Sequence, residues 1–265
     1  MATGKRAEPV PNDNGSLVLS ALEFEMLWEA ERLPRRHVAL DVPSPGTTHT
    51  ERAALIEEAW ESLRARGLAR GHQASGELVD MLNLFATPRF AIDVWVWTDR
   101  EIKGQAVSVG NQALLGVIDE GQVWLIPARE GSLAEAAVSV AGDLGPGVGQ
   151  SISIPHDLLV QADASARGDA KAMVTALEDL DVPLWQAQEV AGMLLGQEAR
   201  GQFGVERAGR DGRPRRAGSV VAFYDTDAGR YLFQVARNRD GRDWATITPA
   251  DNQLLATRIR EVADF

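Results

Sequence analysis

The sequence predicts an α+β fold: a central, mainly antiparallel sheet flanked by two helical clusters and repeated about a quasi-two-fold axis. Three observations predict it. Apolar residues recur at helical spacing and then change to a period of two, and this happens in each half of the chain. Helices grouped before strands give an α+β arrangement, whereas alternation would give a parallel sheet. The order of strand, three helices, four strands and a closing helix occurs twice, and "VWLIPARE" (residues 123–130) resembles "WATITPAD" (244–251) where each strand hands over to its last helix.

In the first half a short strand is expected at 16–19. Helices follow at 21–33 ("ALEFEMLWEAERL"), 50–67 ("TERAALIEEAWESLRARG", with Ala54, Leu55, Ala59 and Leu63 as its stripe) and 76–86 ("GELVDMLNLFA"). Strands are expected at 90–97, 105–110, 113–119 and 122–127. Ser132 and Glu135 read as a capping box opening a helix from 134 to about 144. In the second half a strand at 151–154 leads into helices at 156–166, 169–180 and 184–200. Strands follow at 202–207, 219–224, 230–236 and 243–247. The last helix is expected from Thr248, with Pro249 in its first turn and Asp251 as the acid at its third position.

The 265 residues are 45% hydrophobic, enough for a sizeable core. Residues 1–15 read as a disordered lead-in without the apolar run of an export signal. Residues 16–265 read as one domain of two halves, 16–144 and 150–265, joined by the glycine-rich stretch "GDLGPGVGQ". That stretch follows a helix and precedes a strand, the reverse of a phosphate-binding loop, so a flexible connection is expected. The net charge of −11 argues against general nucleic-acid or anionic-membrane binding. Without cysteine there is neither a disulfide nor a thiolate metal site. No apolar run approaches the ~18–20 residues that span a bilayer. A soluble, cytoplasmic protein is the expectation.

No catalytic residue and no metal ligand is assigned. The four histidines share no motif spacing, and "DTDAG" (225–229) reads as a hairpin turn. No nucleophile elbow or zinc-binding helix is present, and no cofactor is implied. Five arginines fall within "VERAGRDGRPRRAG" (205–218), which reads as a solvated connection between strands. The helix that opens at Leu184 is apolar on more than one side: Val190, Met193, Leu194 and Gln197 form one stripe, and Leu184, Ala191 and Leu195 extend it. Such a helix is centrally buried or shared with a partner.

Taken in order, "LSALEFEMLWEAERLP", "ERAALIEEAWESLRARGLARG", "SISIPHDLL" and "AGRYLFQVARNRDGRDWATITPADNQLLATRI" resemble the EspG family, the cytosolic chaperones of actinobacterial type VII (ESX) secretion. The resemblance implies a quasi-symmetric fold and a partner: the helical tip of a PPE-like protein within a PE–PPE heterodimer. It implies that binding uses the second helical cluster, the sheet beside it and a strand-connecting loop. Here that loop corresponds to "TDREIK", Thr98, Asp99, Arg100, Glu101, Ile102 and Lys103, expected to be mobile. The helix contributes Val190, Leu194 and Leu195. The two leucines are expected to point to different sides, so that one meets the client together with Val220 or Phe223. Neither nucleotide nor metal is needed. Two rival readings are a nucleic-acid-binding regulator acting through residues 205–218 and an enzyme with an unrecognised acid/base pair.

Overall fold

The structure is a computed structural model that describes residues 15–46, 48–194, 196–239 and 241–264. The lead-in at 1–14 and Leu195 lie outside the described residues. The first half contains β1 (Leu17–Ser20), α1 (Ala21–Ala30), a 3₁₀ turn (Val38–Leu40), α2 (His49–Ala65), the small hairpin β2 (Ala69–Arg70) and β3 (Gln73–Ala74), and α3 (Gly76–Ala86). Strands β4 (Phe90–Trp97), β5 (Glu101–Val109), β6 (Gln112–Asp119) and β7 (Gln122–Ala128) then precede α4 (Leu133–Ser139). The second half contains β8 (Ile152–Pro155), α5 (His156–Ala166), α6 (Ala170–Asp179) and α7 (Leu184–Leu194). It continues through β9 (Gln197–Ala208), β10 (Pro214–Arg216), β11 (Val221–Thr226), β12 (Gly229–Arg237), β13 (Asp243–Pro249) and α8 (Asn252–Ala263).

Helix starts follow local chemistry. The Ser20 hydroxyl accepts from the Glu23 amide while the Glu23 carboxylate accepts from the Ser20 amide, which closes a capping box. Thr48, Ser75, Asp169 and Asp251 each accept an amide of the following helix. Two expected starts are corrected. Ser132 makes no capping bond, because it completes the 3₁₀ turn Glu130–Ser132. Thr248 and Pro249 belong to β13, paired with Leu232 and Tyr231, so the last helix begins after Asp251. The helix expected over 184–200 stops at Leu194. Gly196 takes a left-handed φ of 74°, and Gln197 onwards pairs with β11 and then β4. Pairing overrides the helical propensity of "QEAR".

The main sheet runs β1-β7-β6-β5-β4-β9-β11-β12-β13-β8, with β10 on β9 beyond the end of β11, and every pairing is antiparallel. The order is a palindrome. From the central β4–β9 pair outwards, β4-β5-β6-β7-β1 in one direction matches β9-β11-β12-β13-β8 in the other. Val94 pairs with Phe203 near the middle. One sheet face carries Ile92, Val94, Val96, Phe203, Val205 and Phe223, which form a core with α4 and α8. The other face carries two separate cores: α1–α3 pack on the first-half strands, and α5–α7 pack on the second.

The junction between halves is pinned, which corrects the expected flexible connection. Arg230, fully buried, donates to both carboxylate oxygens of Asp225 at 2.7 and 2.8 Å and to the Ala141 and Gly142 carbonyls. Its backbone also bonds Gly145 and Gly147. Gly147 lies under the Tyr231 ring, where a Cβ would come within 2.1 Å of a ring carbon. Tyr231 in turn donates to the Val148 carbonyl. The glycines serve close approach here, and Asp225 of the "DTDAG" turn anchors the ion pair.

Candidate partner-binding site

Between the two helical clusters the middle of the sheet face is only partly covered. The alternation of β4 places Ala91, Asp93, Trp95 and Trp97 on this face, opposite Ile92, Val94 and Val96. Trp95 and Trp97 are half-buried and stack with ring centroids 6.1 Å apart. Their indole N–H groups are already used, Trp95 donating to Asp93 at 3.0 Å and Trp97 to Glu101 at 3.1 Å. The Arg200 guanidinium sits 5.5 Å from the Trp97 ring centroid. With their polar edges satisfied inside the protein, the two rings offer surface that asks only for apolar contact.

At one end this shelf runs into a cavity of about 510 Å³ between the sheet and the second helical cluster. Its walls include Trp97, Val160, Met173, Leu194 and Phe233, and Gln197, Arg200 and Gln202 lie at its polar side. Val160 on α5 is 53% exposed, and Leu184 and Trp185 at the start of α7 are 48% and 67% exposed. Leaving such residues in water costs free energy that a partner recovers. Tyr224 also lines the cavity. Its hydroxyl is buried without a hydrogen-bond partner, and burial pushes its pKa well above the usual tyrosine value.

The expected site residues divide. Leu194 lines the cavity and is half-buried. Val190 is fully buried in the α5–α7 core and is withdrawn from the surface. Phe223 touches the cavity floor but is 2% exposed. Its ring stacks on Phe203 at 5.6 Å in the α4–α8 core, so it too is withdrawn. Val220 is 38% exposed and stands just before β11, outside the cavity lining. Leu195 lies outside the described residues, so the expected opposition of the two leucines concerns Leu194 alone.

The "TDREIK" loop is shorter than expected. Trp97 pairs with Glu101, so only Thr98, Asp99 and Arg100 turn, while Glu101, Ile102 and Lys103 begin β5. Ile102 packs into the α4–α8 core, on the far face. The tip is tied rather than free. Arg100 donates to Asp119 at 2.7 and 3.0 Å, which raises its pKa, and the Thr98 hydroxyl holds Asp99 below its usual range. Trp97 joins this tip to the cavity.

The arginine-rich stretch is likewise ordered. It forms the hairpin of β9 and β10, and Arg216 binds Asp93 at 2.6 Å and Glu206 at 3.1 Å. Arg207 lies over Phe90 and donates to the Ala263 carbonyl. His37, Asp93 and Glu206 bring ligand atoms within 4.8 Å of one another, a set that could hold a metal ion. The Arg216 guanidinium is already shared between both carboxylates, and the His37 Nδ1 accepts the Ala39 amide. The cluster therefore reads as an internal ion-pair network. Contact with His37 first, then with Arg216, holds the Glu206 carboxyl below its usual range.

Val160, the tryptophans and the 37–93–206 cluster were not singled out in the sequence. One signal was present: "FAIDVWVW" is apolar on both faces, as a strand covered on both sides would be. Its half-exposed tryptophans show that part of the cover is missing. The cluster has no local signal, because its members are joined only by the sheet.

Comparison places the chain among known proteins. A family model described as the EspG family matches residues 20–261. No curated protein matches the chain. The fold is similar to that of the Mycobacterium tuberculosis type VII secretion system chaperone EspG5, solved in complex with the PE25–PPE41 dimer. The TM-score is 0.72 at 12% identity, over 93% of this chain and 95% of that one.

Proposed function

The chain belongs to the EspG family, and from that premise we propose that it is a chaperone of type VII secretion. It binds the helical tip of a PPE-type protein within a PE–PPE heterodimer and keeps the pair soluble before export. The observation that carries the reading is the open cavity between α5 and the sheet, edged by exposed Val160 and half-buried Leu194 and Trp97. An amphipathic helical tip bound for export exposes apolar side chains, and a groove of this kind shields them by helix-in-groove packing. Arg200, Gln202 and the turn at Thr98, Asp99 and Arg100 supply a polar edge that orients the client. Residues 16–265 act as one domain of two halves, with the second helical cluster doing most of the binding and the β4–β5 turn of the first half completing the edge. The function is non-enzymatic and set in the cytosol, and binding needs neither nucleotide nor metal. Among the described residues no helix is long and apolar enough to cross a membrane.

The test is co-expression with PE–PPE pairs of the same genome, followed by size-exclusion chromatography. Co-elution with one pair as a stable complex supports the reading. Separate elution from every pair contradicts it.

A further inference from the structure

The opposite end of the same sheet face holds a second cleft, of about 720 Å³, that the chaperone reading leaves without a role. Its walls come from the segment at Arg35 and Arg36, the end of α3 near Arg89, and the β9–β10 hairpin at Gly212 and Pro214. The carboxylates nearby are already engaged: Asp93 and Glu206 by Arg216, Glu206 also by His37, and Asp41 by Arg36. Arg35 and Arg89 line the cleft with exposed side chains, and among the described residues neither guanidinium has a hydrogen-bond or ion-pair partner. Cations without counter-charges, gathered around one cleft of a chain of net charge −11, call for an anionic ligand.

A second observation narrows the ligand. Gln105 lines the cleft and is 2% exposed, and its side-chain carbonyl oxygen is buried without a donor. Buried acceptors are satisfied in the great majority of cases, so this one marks a place for an incoming N–H. A carboxylate supplies no donor, whereas a peptide supplies both backbone N–H groups and acidic side chains. Val109 and Ala208 add apolar patches between the polar groups. Nucleic acid fits less well. Of the two aromatic rings in the lining, Phe85 is buried at 4% exposure and His37 is held by Glu206 and the Ala39 amide, so neither offers a free stacking platform, and the acidic chain repels a polyanion at long range.

We propose that this cleft docks an acidic, extended peptide segment of a second partner, at a place separate from the client cavity. Carboxylates pair with Arg35 and Arg89, and a backbone N–H reaches Gln105. The inference stands independently of the chaperone reading. The test is fluorescence anisotropy with a short labelled peptide alternating Glu and Gly, on the wild-type chain and on a variant carrying both R35A and R89A. Both arginines are exposed, so the variant should melt like the wild type. Saturable binding that weakens with salt and falls at least tenfold in the variant is the expected result. No saturable binding, equal binding by the variant, or tighter binding of a single-stranded DNA oligonucleotide of matched charge would overturn the proposal.

Discussion

The two helical clusters share a topology and differ in what they do with their apolar residues. The α1–α3 cluster keeps its large side chains inside. Phe24, Leu27, Trp28, Trp60, Leu63 and Phe85 are all buried, and among the described residues only Val38 of its large apolar side chains is strongly exposed. The α5–α7 cluster is built with smaller or more adaptable residues, Ala162, Ala166, Ala187, Ala191, Met173 and Met193. It leaves Val160, Leu184 and Trp185 in solvent. Methionine and alanine pack without fixing a single jigsaw shape, which suits a surface that must fit a client. One repeat therefore became a sealed structural unit, while its twin kept an open flank. The pinned junction at Arg230 holds the two together, so the open flank is presented by a rigid body.

The largest expected effect removes that rigidity. Arg230→Met leaves Asp225 buried with no partner and frees the Ala141 and Gly142 carbonyls. A loss of about 3–5 kcal/mol is expected from breaking a buried pair on one side. Urea denaturation reads it, and an unchanged midpoint would show the junction to be dispensable. Next, Phe24→Ala in the sealed cluster should cost about 3–5 kcal/mol, whereas Met173→Ala in the open one should fall near the lower end for such truncations, about 2–3 kcal/mol. Equal losses would remove the distinction between sealed and adaptable cores.

Acid provides a gentler probe of the sealed side. The Glu206 carboxyl has a depressed pKa in the folded chain, caused first by His37 and then by Arg216. Its contribution is therefore complete above the ordinary glutamate pKa and disappears as pH falls through the lower folded value. Partial exposure and salt screening keep it small. Melting followed between neutral pH and pH 3 should show a slightly shallower acid loss for Glu206→Gln than for the wild type. Parallel curves would detach Glu206 from the pH dependence. The smallest stability effect belongs to the hairpin tip. Replacing Thr98 and Asp99 by Gly and Ser, with Arg100 kept on Asp119, should leave the melting temperature unchanged but alter which PE–PPE pair is bound in competition. An unaltered preference would make the tip a mere connector.

Much of this fold was legible because it is periodic. "FAIDVWVW" alternates across β4 as read, and the repeated order of elements foretold the palindromic sheet. Boundaries failed where pairing overruled local signals. Gln197–Arg200 reads as helix but joins β9, and Thr248 reads as a cap but extends β13. The site was less legible. Leu194 lines the cavity and the 98–100 turn lies beside Trp97 at its rim, but Val190 and Phe223 are core, because an apolar residue looks the same in sequence whether it faces its own core or a partner. Arg216 and Arg230 show the converse. Arg216 fell in a stretch read as a loop and Arg230 at the start of the strand expected over 230–236, and each takes its meaning from a carboxylate that the fold brings near.

The central claim is that the open flank of the second cluster is the client surface. Val160→Asp tests it most directly, because the residue is 53% exposed and already tolerates water in the free protein. Isothermal titration of the PE–PPE pair that co-elutes with the wild type should show at least a hundredfold weaker binding by the variant, with an unchanged melting temperature for the variant alone, since an unpaired charge would be buried against the client's apolar face. Full affinity in a variant that melts like the wild type would contradict the account and move the client to another face of the molecule.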